Sequence, residues 1–344
     1  VKDAAGTDWV LPQWGSAREP GPESGRDSEA SVADAVRAVN SRAALVDGVE
    51  TISGHVLQAV ADGSAQTLLV GAWDLPGARA EHVVGDDAEL AGVAVGSGDD
   101  PAEVVVAPEF RRRGLGEALV RAAVDLLGAV WAYGNLPAAV ALAGRLGLIR
   151  SRELLQLRRT SIARDLVELP EGVRIRPFEP GRDDAAFLAV NARAFAWHPE
   201  QGRLDEAGLQ AEMSQDWFDP AGFLLAVSGP PDAERVLGFH WTKVHPVDPT
   251  PGIDPRPEDG PTIVPDGTQS PGPVGEIYVL GVDPESPVRG LGTPLTAAGL
   301  NHLADRGLST VMLYVEADNA SALKLYRRFG FETAVSNVVY SRPA

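Results

Sequence analysis

The 344-residue chain has no cysteine. That excludes disulfide frameworks, thiolate metal sites and any acyl group carried on the protein's own sulfur. Positive charge is also short: Lys plus Arg number 30 against 48 Asp plus Glu, for a net charge of −18. This is the wrong sign for tracking a phosphate backbone or an anionic membrane, so neither nucleic acid nor membrane is an expected partner. No apolar run approaches the roughly 18 residues of a membrane span, and residues 1–30 lack the basic-then-apolar order of a secretory signal. The expectation is a soluble, cytoplasmic monomer. No Gly-Lys pair occurs, which removes a P-loop. His198, His240 and His245 invite a metal reading, but no His-x-x-x-His or Glu-paired helix supports one, and no metal is expected.

What is present is too much chain for one ordinary core, since single cores stop growing at about 250–300 residues. Residues 1–30, rich in Gly, Pro, Ser and charge, read as a flexible tail. Val32, Val36, Val39 and Ala43 then recur at helical spacing behind Ser31 as a cap. Thr67 to Trp73 and Ala88 to Val95 read as a strand hairpin through Gly85, Asp86 and Asp87. A strand at Glu103 to Ala107 leads through Arg111-Arg112-Arg113-Gly114-Leu115-Gly116 into a helix with Leu115, Leu119, Ala123 and Leu126 on one side. The same order returns 176 residues later. Ile277 to Val282 is a strand, Val288 to Gly292 a glycine turn, and Thr293 to Ala304 a helix that tolerates Pro294 in its first turn. Both copies run on to a second helix closed by similar phrases, Arg145-Leu146-Gly147-Leu148 and Arg328-Phe329-Gly330-Phe331, with Gly where a helix stops in the left-handed conformation. The chain is thus an internal repeat: tail 1–30, first domain 31–165, linker 166–172 and second domain 173–344. A Pro- and Gly-rich insertion at 247–275 reads as a flexible surface loop.

A glycine turn that opens a helix offers consecutive backbone N–H groups and the positive end of the helix, a cradle for phosphate. A dinucleotide fingerprint needs a third Gly where this chain has Leu119 and Leu295, so that reading fails. The remaining pattern is Arg/Gln-x-x-Gly-x-Gly/Ala after a strand. Arg111 to Gly116 fits it throughout, and Pro287-Val288-Arg289-Gly290-Leu291-Gly292 fits except at Pro287. In this the chain resembles the GCN5-related N-acetyltransferases. The resemblance implies an α/β protein of two tandem GNAT-type domains, each a mixed central sheet flanked by helices. It also implies acetyl-CoA as co-substrate. Its diphosphate would lie on residues 287–292 with Thr293 beside them, and in the first copy on residues 111–116 beside the strand Val104, Val105 and Val106. Backbone N–H groups around Leu280, Gly281 and Val282 would polarise the thioester carbonyl, with Asn319 and Lys324 as further coenzyme contacts.

Acyl transfer to an amine requires the ammonium to lose a proton before attack and the departing thiolate to gain one. Strict alternation places Glu276, Tyr278, Leu280 and Val282 on one strand face, making Glu276 the candidate base. Asn319 caps the last helix, and Tyr326 lies seven residues on, four before Gly330. In this superfamily a tyrosine at that place commonly protonates the coenzyme thiolate. The first copy has Asp100 and Ala143 at the corresponding positions. It keeps a cradle without the acid, so it is expected to hold coenzyme without turning it over.

Further phrases narrow the resemblance. They are Phe195-Ala196-Trp197-His198-Pro199-Glu200-Gln201-Gly202, Gly238-Phe239-His240-Trp241-Thr242-Lys243-Val244-His245-Pro246, Gly275 to Pro284, and Leu313-Tyr314-Val315-Glu316-Ala317-Asp318-Asn319. They are similar to the tandem acetyltransferases that complete mycothiol. That resemblance implies transfer to the cysteinyl amine of cysteinyl-glucosaminyl-inositol, with Glu200, Lys243, Glu276 and Tyr314 lining the acceptor site. With no cysteine and no activated serine, attack is expected to be direct, in a ternary complex. Two alternatives stay open: acetylation of another small amine or peptide, and a non-catalytic acyl-CoA-binding module.

Overall fold

The computed structural model describes residues 15–16, 27–71, 90–96, 100–160, 164–196, 201–246 and 272–343, with backbone only for 15–16, 27–31 and 66–71. The expected tail is largely outside this set, as are the hairpin turn at 85–87 and nearly all of the insertion. Contacts gather the chain into two compact units. One holds the described residues of 1–154 and 335–344, the other those of 155–248 and 259–334. This differs from a linear split at 166–172, because residues at the carboxyl end pair within the first unit.

The first unit begins with β1 (Gly15–Ser16), α1 (Asp27–Asp47) and α2 (Gly54–Ala61). There follow β2 (Gln66–Gly71), β3 (Leu90–Gly96), β4 (Glu103–Val106), α3 (Leu115–Leu127), β5 (Ala129–Ala132), α4 (Pro137–Leu146) and β6 (Ile149–Thr160), whose residues from 155 on belong to the second unit. Strands β1 to β4 form an antiparallel sheet in chain order. The helix of the Val32–Ala43 pattern starts at Asp27, so Ser31 lies inside it and is not its cap. Val36, Val39 and Ala43 are fully buried against Val93, Val95 and Val105. The opposite face of the unit packs Leu115, Leu119 and Ala123 of α3 against Ala91, Ala94 and Val130. Leu126, expected on that stripe, is 49% exposed because the helix is ending there.

The second unit continues with β7 (Val173–Pro177), α5 (Asp184–Ala194), α6 (Glu206–Met213), β8 (Phe223–Ser228), β9 (Arg235–His245) and β10 (Val274–Val282). It closes with α7 (Gly292–Asp305), β11 (Thr310–Glu316), α8 (Ala320–Arg328) and β12 (Glu332–Ser341). Its strands run β6-β11-β10-β9-β8-β7, with β10 parallel to β11 and antiparallel to β9, so the sheet is mixed. One face carries Phe178, Phe187, Phe223, Phe239 and Trp241, where Phe223 stacks between Phe178 and Trp241 at 4.2 and 4.3 Å. Each such side chain withdrawn from water contributes about 1.5–3 kcal/mol. The other face buries Ile277, Leu300, Leu303, Leu313, Val315, Leu323 and Tyr326 beneath α7 and α8. From 335 on, β12 belongs to the first unit, where Val338–Ser341 pair antiparallel with Ala129–Ala132.

Candidate active site

In the second unit the parallel pairing of β10 with β11 is short: Gly275 with Val311, Glu276 with Met312, Ile277 with Leu313, and no further. On its other side β10 stays paired with β9 to Val282, and the register shifts between Ile277 and Val279. The bulge corrects the alternation argument. Ile277 faces the helices α7 and α8, whereas Tyr278 and Val279 both turn to the aromatic face, and Leu280 and Val282 return to the helix side. Glu276 and Tyr278 therefore share one face and Leu280 and Val282 the other. An extra residue re-aims every side chain after it, which no period of two anticipates. Past Ile277 the edge of β10 toward β11 is left without a registered partner, opening a wedge in the sheet.

Below the wedge, Gly290 has φ +77°, with nothing near the place of a Cβ, so its glycine is required by conformation. Gly292 opens α7. Among the described residues, the backbone N–H groups from Arg289 to Gly292 have no acceptor, leaving them free for an anion. Pro287 adds no polar side chain. The turn is pinned by Ser286, whose Oγ accepts from the Val288 N–H at 3.1 Å. It is also pinned by Asp283, which is 1% exposed and held by Arg193 at 2.8 and 3.0 Å. That guanidinium keeps the Asp283 carboxyl below the usual carboxylate range. Gly281 is constrained differently: a Cβ there would meet the Phe239 ring at 2.7 Å. These residues fit a diphosphate and a pantetheine arm, and the motif that named them is locally formed.

The expected acid and base occupy opposite faces beside the wedge. Glu276 is 8% exposed, and His245 Nε2 lies 2.6 Å from its Oε2. Lys243 is directly across from Glu276 on β9, yet its ammonium lies over the rings of Trp217 and Tyr278, at 4.4 and 5.1 Å. Burial and the neighbouring Glu212 push the Tyr278 phenol well above its ordinary pKa. Tyr314, 42% exposed, follows Met312 on β11 and receives a hydrogen bond from Gln156 Nε2 at 2.9 Å. Tyr326 is 7% exposed, and its ring meets Phe331 edge-on at 5.8 Å. Its hydroxyl has no partner among the described residues, and burial drives its pKa upward. Asn319 caps α8, accepting from the Ala322 N–H at 3.1 Å. Lys324 joins Arg327 and Arg328 along a basic recess of about 440 Å³. Glu200 lies outside the described residues.

The first unit carries the matching parts differently. Ala102 makes an isolated parallel bridge to Val130, after which β4 and β5 share no registered pair among the described residues. A cavity of about 590 Å³ follows, lined by Val104, Val105, Val106, Arg111, Arg112, Gly114 and Gly116 among others. Gly114 has φ +88° and caps α3, while Arg112 is held at φ +64°. Ala143 is on the cavity wall and Asp100 is exposed. The two phenols at the cavity are engaged: Tyr133 donates to Glu103 Oε1 at 2.7 Å and Tyr340 to Asn135 Oδ1 at 2.9 Å. Glu103, 1% exposed, also accepts from the Ser53 N–H and hydroxyl, and burial raises its pKa. Sequence reasoning passed over Glu103, Asp283, Arg193 and Gln156, whose partners are remote in the chain. It met His245 as a rejected metal ligand and within a family phrase, without a role of its own. Among the described residues no helix is long and apolar enough to cross a membrane, and no group of three or more His, Asp or Glu gathers as a metal site.

Two sheets that splay beside a glycine turn and a helix N-terminus define a tandem acyl-coenzyme A transferase architecture. The profile of the Acetyltransferase (GNAT) family matches residues 62–148 and 191–331, one stretch in each half. The chain belongs to that family and is an acetyl-CoA-dependent N-acetyltransferase. Its relatives are narrower in kind. It is 45% identical over 318 residues to the mycothiol acetyltransferase of Kocuria rhizophila, covering 89% of this chain and 95% of that one. With the mycothiol acetyltransferase of Nocardia farcinica it shares 43% identity over 325 residues, covering 91% and 95%. The fold is shared with a GCN5-related N-acetyltransferase from Sphaerobacter thermophilus (TM-score 0.59, 20% identity, 93% and 95% covered). It is shared too with a tandem GNAT protein from the clavulanic acid biosynthesis pathway (TM-score 0.55, 15% identity, 92% and 96% covered).

Proposed function

We propose that the chain acetylates the cysteinyl amine of cysteinyl-glucosaminyl-inositol in mycothiol biosynthesis, acting as a cytoplasmic monomer. Acetyl-CoA and acceptor meet in a ternary complex in the second unit, and the first unit holds coenzyme without turnover. The observation that carries this reading is the wedge past Ile277, with Glu276 on one face of the sheet and the unpartnered phenol of Tyr326 on the other. The identity to mycothiol acetyltransferases over about nine-tenths of the chain supports the choice of acceptor.

In this reading the N–H groups of Arg289–Gly292 hold the diphosphate, Lys324 the outer phosphate, and N–H groups around Leu280 and Val282 the thioester oxygen. Glu276 takes a proton from the acceptor ammonium. The freed amine attacks the carbonyl carbon, the C–N bond forms and the C–S bond breaks, Tyr326 protonates the departing thiolate, and the second proton shed by the nitrogen restores the phenol. A phenol kept neutral by burial is suited to donation and not to early ionisation. Lys243, Tyr314 and Glu200 bind the sugar and inositol hydroxyls. The first unit lacks this chemistry: Ala143 stands where Tyr326 does, and its nearby phenols are committed to Glu103 and Asn135.

The test is a panel of amines incubated with acetyl-CoA, following thiol release and identifying products by mass. Cysteinyl-glucosaminyl-inositol should gain one acetyl group on its cysteinyl nitrogen and outrun aminoglycosides and peptide amines. A panel in which an aminoglycoside or a peptide turns over faster would overturn the assignment.

A further inference from the structure

Glu276 sits directly across from Lys243 in the β9–β10 register, and the obvious ion pair between them is not made. The Lys243 ammonium is turned onto Trp217 and Tyr278, and Glu276 reaches diagonally along the sheet to His245. The contact is short, 2.6 Å between Nε2 and Oε2. The second carboxylate oxygen, Oε1, has no partner among the described residues. The side chain of Glu276 is 10% exposed and that of His245 20%, so the pair leads outward from a buried carboxylate to a partly wet imidazole. Among the described residues, the charged or titratable groups that share this face include Lys243 on β9, Tyr278 on β10 with Glu212 of α6 behind it, and Tyr314 and Glu316 on β11.

Acetyl transfer from a thioester to an ammonium has a proton surplus. The nitrogen loses two protons, the thiolate keeps one, and one must leave in every turnover. A buried carboxylate that accepted this proton and kept it would be unable to serve again. We propose that His245 is the proton exit of the site, a relay and positioning residue that acts through Glu276. The ammonium gives its proton to Glu276, the proton passes from Oε2 to Nε2, the resulting imidazolium releases its Nδ1 proton to water, and proton exchange of the partly wet ring with water restores the Nδ1–H tautomer before the next turnover. Glu276 is thereby returned as carboxylate, and the bond to Nε2 leaves Oε1 to face the amine. Histidine is the side chain whose ordinary pKa suits this exchange near neutral pH. The inference rests on the reading of Glu276 as base.

The experiment compares the wild type, His245→Ala and His245→Gln, each as the full chain, with acetyl-CoA and cysteinyl-glucosaminyl-inositol over pH 6–9. General acid–base contributions run to about 10²–10⁴-fold, and removal of a relay that water partly replaces should lower kcat about 10–100-fold with little change in the acceptor KM. Added imidazole should raise kcat of His245→Ala, more so as its neutral fraction grows. His245→Gln, which still offers an N–H to Glu276, should stay slow. If His245→Gln matches the wild type, His245 only holds the carboxylate and the relay is overturned. A slow His245→Ala that imidazole does not lift overturns it equally. A wild-type enzyme that leaves cysteinyl amines untouched would overturn the reaction itself, and the relay with it.

Discussion

The guanidinium of Arg111 is clasped by Asp47: Nη1 and Nη2 lie 2.7 Å from the two carboxylate oxygens, and Nε donates to the Val106 carbonyl at 3.1 Å. The side chain that opens the phosphate motif of the first unit is thus a brace between α1 and the end of β4. Its charge is opposed by that of Asp47, and Arg112 and Gly114 line the same cavity. Asp47→Asn keeps the shape and removes the opposing charge. Coenzyme binding to the first unit should tighten about 3–10-fold and become more salt-dependent, as expected for a freed guanidinium beside a diphosphate. Isothermal titration resolving two classes of site should show one class tightened and the other unchanged. Weaker binding in the altered class would mean that the clasp is needed to form the cradle.

Tyr326 offers a clean separation of catalysis from stability. Its ring is packed against Phe331, and among the described residues no hydrogen bond holds its hydroxyl, so the hydroxyl contributes little to the fold. Tyr326→Phe should leave the melting temperature unchanged within about 2 °C or raise it slightly. The same change should lower kcat by about 10²-fold or more, with little effect on KM for acetyl-CoA. Thermal melts and steady-state kinetics on one preparation decide the matter. A variant with full activity would remove the phenol from the reaction.

What the sequence made legible here was local. Gly114, Gly147, Gly290 and Gly330 all stand at positive φ where the motif and the helix ends placed them, because a turn is fixed by its own few residues. The stripe Val36, Val39 and Ala43 and the cap at Asn319 formed for the same reason. What escaped depends on partners far along the chain. Arg111 fits the phosphate motif in the sequence, and its clasp by Asp47, 64 residues earlier, cannot be seen there. The pairing of Val338 with Ala132 brings the carboxyl end into the first unit, which no linear boundary can express. The bulge after Ile277 inserts one residue into an otherwise regular strand and so reverses the faces of Leu280 and Val282. His245 was visible as a histidine, and only the diagonal of the antiparallel ladder connects it to Glu276.

Gln156 holds Tyr314, a side chain of the proposed acceptor site, from behind. It is 1% exposed on β6, donates from Nε2 to the Tyr314 hydroxyl at 2.9 Å and accepts from Arg158 Nε at 3.0 Å. With both ends of its amide engaged, it fixes where the Tyr314 hydroxyl points. Gln156→Met retains the volume and loses the polar contacts. It should raise the acceptor KM about 5–20-fold, the scale of one lost charge-neutral hydrogen bond, while kcat and the KM for acetyl-CoA stay within about twofold. A proportionate fall in kcat would place Tyr314 in the chemical step and not in acceptor binding.

His240 should make stability depend on pH below neutrality. It is fully buried, its Nδ1 lies 2.7 Å from the Leu295 carbonyl, and its Nε2 has no partner among the described residues. Burial depresses its pKa from 6.5 to about 4. The folded protein therefore keeps the ring neutral where the unfolded chain would protonate it. Between pH 6.5 and about 4 the unfolded state binds more protons, so stability falls as the pH is lowered through that window and is fully present above it. At 1.36 kcal/mol per pKa unit the loss amounts to ~3 kcal/mol by the lower end. His302, whose pKa is also lowered by burial, adds in the same direction. Urea unfolding at pH 7.5, 6.0 and 5.0 should show this decline in the wild type. His240→Gln should start less stable, because the ring fills the space beside Gly299, and should lose less on acidification. Parallel slopes for the two proteins would show that His240 is protonated in the folded state and that its environment is wetter than its burial implies.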